Sequence, residues 1–331
     1  MTSLFIVPLA ALVLAAVLTR VFLGWVEARD IAAEENHRSM HKGRVPTGGG
    51  LPLLASALLV ALAAAGAPEG LHMLAPALAA LVLVSWADDR KAVPPLARLA
   101  VHIGVAMAAL SALPGHLFVF QGVLPFWIDR AVAGLALVWF INLYNFMDGI
   151  DGIAGIETVV IAVGYAVVLL AAGHASEPLV AVALAVAGAT AGFLVWNWHP
   201  ARIIMGDVGA VPLGFLMGWL MLDLATRFSL AAGLILPLYF AADATITLGR
   251  RVVRGERPWE AHREHFYQRA AGGLGSHARV VERVLACGLA LIGCAVLGLS
   301  APWAGLALAA VLVALLLLGL SEAGQEGPPS E

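Results

Sequence analysis

Runs of about twenty apolar residues recur along nearly the whole chain, and a bilayer is the solvent that suits them. They fall near 3–25, 47–66, 70–87, 93–113, 130–144, 156–172, 178–197, 209–223, 228–249, 281–299 and 302–320. Several are short or merge, so the sequence predicts an all-α polytopic membrane protein with ten or eleven transmembrane helices. Composition excludes a water-soluble domain: 61% of residues are hydrophobic and 12% charged, with a mean hydropathy of +0.90, far from soluble averages. The loops leave no room for a separate soluble unit. Residues 1–320 therefore read as one transmembrane domain and 321–331 as a disordered cytoplasmic tail. The first run lacks the basic start of a signal peptide, since its first cation is Arg20, and reads as a retained helix. Cys287 and Cys294 share one span and read as small packing residues.

Basic residues set the orientation. Of the 19 Lys and Arg, roughly sixteen lie in or beside alternate loops: Arg29 to Arg44, Arg90 to Arg98, Arg202, and Arg250 to Arg283. Those loops are expected to be cytoplasmic. The opposite set holds only Arg130 and Arg227, which puts the N-terminus outside.

One stretch carries the most chemistry. Where a span ends, Asn142-Leu-Tyr-Asn145-Phe-Met-Asp148-Gly-Ile-Asp151-Gly delivers two amides and two carboxylates spaced by three. Such groups are costly beside hydrocarbon and are usually kept for function. At that spacing each is a helical neighbour of the next, so consecutive pairs can grip one ligand. Oxygen donors grouped this way suit a hard cation such as Mg2+ better than zinc.

Further polar clusters fall on the same predicted side. Arg38-Ser-Met-His41-Lys42 precedes Pro46-Thr-Gly-Gly-Gly50, which reads as a tight turn or, less readily, as an anion site at a helix start. Asp88-Asp89-Arg90 closes the third span, as a solvated cap or as a holder of phosphate and metal. Asp207 sits between glycines in Met205-Gly-Asp-Val-Gly209 where a span restarts, a good position for a metal ligand. Asp243 lies within apolar sequence and reads equally as a partner for a neighbouring helix. His262-Arg263-Glu-His265-Phe-Tyr-Gln-Arg269 follows in the longest basic loop. With no thiolate nearby, its donors fit phosphate oxygens better than a soft metal. His72, His102, His116 and His174 are isolated and read as structural.

Taken together, Arg38-x-x-His41 with Pro46 to Gly50, Asp88-Asp89-Arg90, Asn142 to Gly152, Met205 to Gly209 and His262 to Arg269 resemble the polyprenyl-phosphate N-acetylhexosamine-1-phosphate transferases of glycosyltransferase family 4. The resemblance runs in order from about residue 36 to 280, and the His-Arg-x-His-x-Tyr-Gln form is most like the O-antigen-initiating branch. It implies transfer of an N-acetylhexosamine 1-phosphate from a UDP-sugar to undecaprenyl phosphate, with release of UMP, in a bacterial inner membrane. The implied cofactor is Mg2+, with Mn2+ as a substitute. The implied partners are UDP-N-acetylhexosamine, undecaprenyl phosphate, the bilayer and a second copy of the chain, with no nucleic acid.

Carried over, the resemblance makes Asp88 and Asp89 the catalytic carboxylates and Asp207 and Asn145 the metal neighbours. It places Asp148 and Asp151 at the nucleotide, Asp151 near the uracil. His262, Arg263 and His265 fall near the diphosphate, and His41 and Arg98 face the lipid phosphate. Two departures stand out. Ile204 occupies a position often aromatic in the family, and Ala92 leaves no third acid after Asp88-Asp89. A transporter is the competing class, but it would gather its polar groups near the bilayer midplane; here they crowd one predicted surface.

Overall fold

The computed structural model describes residues 3–29, 45–66, 70–90, 93–175, 178–257, 260 and 262–325. Among them the regular structure is helical throughout: α1 Ser3–Glu27, α2 Gly50–Ala65, α3 Leu71–Arg90, α4 Pro95–Ser111, α5 Phe126–Phe146, α6 Ile153–Ala171, α7 Pro178–Asn197, α8 Asp207–Arg227, α9 Leu230–Ile235, α10 Leu238–Val253, α11 Phe266–Leu274, α12 His277–Leu297 and α13 Pro302–Ala323. Seven of these, α1, α5, α6, α7, α8, α12 and α13, are long and apolar enough to cross a membrane, and α2 and α4 are shorter apolar helices. The chain is a polytopic membrane protein. α3 spans 20 residues but ends in Asp88-Asp89-Arg90, so its apolar part stops at Ala87.

The expected span over 228–249 is not one helix. Pro237 has no amide hydrogen to continue the ladder, and the chain breaks into α9 and α10 there. The break strips acceptors from the first amides of α10, which hydrocarbon cannot replace. Glu157 of α6 is only 2% exposed, and its Oε1 is buried without a hydrogen-bond partner. At the far end of the chain, α13 continues past 320 to Ala323, so the expected tail begins as helix; residues 326–331 lie outside the described ones.

α8 and α6 form the buried centre, and α1 and α13 the rim, where Phe5, Leu9, Val13 and Leu315 face outward. α1 lies directly on α7. A Cβ on Gly188 or Gly192 would stand 2.1 Å from the carbonyl oxygens of Pro8 and Leu12, so this small-x-x-x-small pair sets the helix separation.

Alternating helix ends gather two different polar layers. At one end Asp129 accepts from the amides of Val119 and Phe120 at 3.0 and 2.8 Å, and Arg130 donates to the carbonyls of Pro114 and Leu117 at 2.7 and 2.9 Å. These charges are consumed in folding the 112–125 connection. At the other end meet the C-terminal ends of α3, α5 and α7 and the N-terminal ends of α4, α6, α8 and α12, which carry the sequence-predicted site.

Candidate active site at one end of the bundle

Asp207 is the first residue of α8, where unpaired amides and the helix dipole favour a carboxylate. Asn145, in the last turn of α5, donates from Nδ2 to Asp207 Oδ2 at 3.1 Å. The sequence places these two residues 62 positions apart, and the fold brings them into contact. Asp89 stands opposite. Burial, then the neighbouring charges of Asp207 and Asp88, raise its pKa to about 7. The charges of Asp207 and Asp88 reach Asp89, and that repulsion is relieved by a proton or a cation. Oxygen donors of this kind suit a hard divalent ion, so the residues fit the Mg2+ that the resemblance implies.

The glycine run beneath this corner is a packing device. Gly49 and Gly50 donate their amides to Ile204 and Met205 carbonyls at 3.0 Å each, and the Ile204 amide returns to Pro46 at 2.8 Å. A Cβ on Gly50 would sit 2.1 Å from the Cα of Gly209. The amides of Gly49 and Gly50 are therefore spent, which favours the turn reading over an anion site. This pairing fixes the 204–207 segment that presents Asp207.

Beside Asp207 opens a cavity of about 700 Å³ between α3, α4, α5 and α8. Leu96, Leu99, Leu135, Val138 and Leu248 make it greasy, while Asp88, Arg98, Asn142 and Asn145 line its polar part. Asp88 uses both carboxylate oxygens: Oδ1 accepts from the Val93 amide at 2.7 Å and Oδ2 from Arg98 Nη1 at 2.5 Å. An apolar trough that ends in a cation and two amides suits an amphiphile with an anionic head.

Asp148 and Asp151 lie on the turn between α5 and α6. Asp151 is 5% exposed and held on three sides. Its Oδ2 lies 2.5 Å from His199 Nδ1 and 3.2 Å from both His277 Nδ1 and the Ala201 amide. These three side chains form the one group of metal-ligand spacing among the described residues. It is distinct from the Asp207 corner, and the short His199 contact makes it a hydrogen-bonded clamp on the turn between α5 and α6.

The histidines of the long loop are placed by a buried acid. Asp243 of α10, fully buried, accepts from His265 Nδ1 at 3.1 Å and from the amides of Phe266 and Tyr267 at 3.2 Å each. It thus caps α11 from another helix and fixes the His265 ring, whose Nε2 stays buried without a partner. The His262 ring stacks on His265 at 4.9 Å, and its Nε2 is likewise unpartnered. Burial, reinforced by His265 and Arg251, holds the His262 pKa below the ordinary imidazole value. Arg263 is exposed between them. Glu264 pairs instead with Arg251, at 2.5 Å, and with Arg254.

The fold thus brings Asp88, Asp89, Asn145, Asp207 and Arg98 to one corner, with Asp148 and Asp151 on the adjoining turn and His262 and His265 tied to it through Tyr267. His41 lies outside the described residues. Three polar residues escaped the sequence reading of the site: buried Glu157 and His277, and half-exposed His199. His102, read as structural, lines the cavity. A lone polar letter in an apolar run gave the only signal for Glu157 and His102.

Residues 71–225 match the family described as Glycosyl transferase family 4. A phospho-N-acetylmuramoyl-pentapeptide-transferase of Moorella thermoacetica is 36% identical over 136 residues, 39% of this chain and 42% of the relative. A probable undecaprenyl-phosphate N-acetylglucosaminyl 1-phosphate transferase of Bacillus subtilis is 26% identical over 293 residues, 85% of this chain and 81% of the relative. A phospho-N-acetylmuramoyl-pentapeptide-transferase of a Synechococcus strain is 31% identical over 228 residues, 62% of this chain and 64% of the relative. Apolar helices and bacterial relatives together make this a multi-pass protein of a bacterial inner membrane.

Proposed function

Because residues 71–225 match the family described as Glycosyl transferase family 4, we propose that the chain transfers an N-acetylhexosamine 1-phosphate from a UDP-sugar to undecaprenyl phosphate, releasing UMP on the cytoplasmic side. The supporting observation is the shape and lining of one cavity. A greasy trough reaches Arg98 and Asp88 and opens onto Asn145 and Asp207, so a lipid phosphate and a nucleotide diphosphate can meet there.

Phosphoryl transfer asks a protein mainly to position two anions and to spread developing charge. Arg98 receives the lipid phosphate. Asp88 orients Arg98 and the incoming oxygen, and its two occupied oxygens favour a single displacement over a phosphorylated aspartate. Asp89, Asp207 and Asn145 would hold a divalent cation, which would supply neutralisation of diphosphate charge. His262 and His265 present Nε2 atoms to the diphosphate, with Arg263 beside them. Asp148 and Asp151 shape the nucleotide side, and the His199 and His277 contacts keep that turn from collapsing.

The His-Arg-x-His-x-Tyr-Gln form favours the O-antigen-initiating branch, and with it an N-acetylhexosamine without a peptide. The test is purified protein with undecaprenyl phosphate, Mg2+ and a panel of UDP-sugars that includes the muramoyl-pentapeptide donor, followed for UMP. Release with a simple UDP-N-acetylhexosamine, dependent on the lipid, is the expected result. Release only with the muramoyl-pentapeptide donor overturns the branch, and none with any donor overturns the transfer.

A further inference from the structure

We propose that His102 binds the phosphate of the lipid acceptor, with Nδ1 sharing one proton with a phosphate oxygen. This rests on the transfer reading above and adds to it a residue that the motifs do not contain. His102 lies one turn after Arg98 on α4, so both side chains share a helix face. It is 5% exposed and lines the same cavity as Arg98 and Asp88. Nδ1 is buried without a hydrogen-bond partner.

Asn142 lines the same cavity and is itself fixed, because its Nδ2 donates to the Val138 carbonyl at 2.7 Å. In the neutral tautomer with its hydrogen on Nε2, the Nδ1 lone pair is open to a ligand in the cavity.

A histidine kept only for packing would leave a buried nitrogen unsatisfied, at a cost comparable to a lost hydrogen bond. A phosphate removes that cost in either protonation state. As P–OH it donates to Nδ1; as a dianion it accepts from the Nδ1 hydrogen of an imidazolium. One proton lies between oxygen and nitrogen in both cases, and no other bond changes. Arg98 and Asp207 line the same cavity as the ring. The first reinforces anion binding, and the second marks the side from which the nucleotide comes.

The test compares His102→Phe and His102→Asn in steady-state kinetics, with polyprenyl phosphate and UDP-sugar varied in turn. His102→Phe should raise KM for the lipid phosphate about tenfold or more, the usual effect of losing a hydrogen bond to a charged group, while KM for the UDP-sugar moves less than about twofold. His102→Asn, which keeps a polar group near the Nδ1 position, should recover part of the loss. Competition supplies a second reading: polyprenyl phosphate should outcompete the uncharged polyprenol by a smaller ratio in either variant than in the wild type. Unchanged lipid KM in His102→Phe, equal shifts in both KM values, or an unaltered ratio in His102→Asn would overturn the proposal. Failure of the wild type to release UMP overturns the transfer reading instead, and is seen before any variant is compared.

Discussion

The hydroxyl of Tyr267 donates to the backbone carbonyl of Phe146 across 2.9 Å. This one bond fastens the His262–His265 segment to the helix end that carries Asn145, and so couples the two histidines to the corner of Asn145 and Asp207. A Cβ on Gly149 would stand 2.3 Å from the same hydroxyl, so the turn after α5 must be glycine there for the two parts to close. Tyr267→Phe keeps the ring and removes the bond. It should cost about 1 kcal/mol of stability and raise KM for the UDP-sugar more than KM for the lipid, measured by denaturant titration and by kinetics.

Asp207→Asn should remove most activity and weaken the response to Mg2+, because the first position of α8 loses the charge that faces Asn145 and Asp89. A cation titration of UMP release checks this. Near-normal turnover with an unchanged metal response would mean that Asp207 is misassigned.

Asp89 carries a pH signature. Its pKa is raised from 3.8 to about 7 in the folded, cation-free protein, so the native state keeps a proton that the unfolded chain has lost over that interval. Stability should therefore fall as pH rises from about 4 through 7, and the penalty is complete above the folded pKa. Asp89→Asn should raise Tm in chelator at pH 8 by a few degrees, a shift on the order of a 1 kcal/mol change, and leave Tm unaltered near pH 4. The same variant should be inactive. Differential scanning calorimetry at the two pH values decides it, and a drop in Tm at pH 8 contradicts it.

His262 behaves in the opposite sense. Its pKa is held below the ordinary imidazole value by burial and by the nearby cations, so the empty site is neutral at physiological pH. A diphosphate placed against Nε2 favours the protonated ring, and binding should take up a proton. UDP affinity should therefore strengthen as pH falls from 8 to 6, and His262→Ala should flatten that slope. Calorimetric titration in two buffers of different ionisation enthalpy reports both the affinity and the proton uptake.

Asp243 offers a stability test with a functional echo. Asp243→Ala would leave the Phe266 and Tyr267 amides and His265 Nδ1 without their shared acceptor in a fully buried place. A loss of about 3 kcal/mol or more is expected. Asp243→Asn keeps one acceptor oxygen and should lose less, while still weakening UDP-sugar binding through a misplaced His265. Equal stability of both variants and wild type would show that the cap contributes nothing.

Much of this was legible in the amino-acid letters, and what was missed shares one physical cause. Ten of the predicted spans coincide with single helices because a bilayer-length apolar run has few other ways to satisfy its backbone. The eleventh broke at Pro237, where the amide that would continue the ladder is missing. Asp88, Asn145 and Asp207 were readable because each stands where an apolar run stops, next to glycine or another polar letter. Asp243 was readable as a partner for a neighbouring element, but not that the partner would be the amides of Phe266 and Tyr267 and the His265 ring, 22 positions and more away. His102 and Glu157 were not readable, since each is one polar letter in an apolar run and its burial is set by other helices. The glycines at 49 and 50 gave the right turn, but their close approach to Gly209 is a tertiary fact that local spacing does not carry.

The most direct measurement uses Mn2+ in place of Mg2+ and phosphorus-31 electron–nuclear double resonance on the purified protein with UDP-sugar. A cation held by Asp207, Asn145 and Asp89 against the diphosphate predicts a phosphorus coupling that appears with the nucleotide and vanishes in Asp207→Asn. A spectrum of fully hydrated Mn2+, or a phosphorus coupling that survives in Asp207→Asn, would contradict a cation site at this corner.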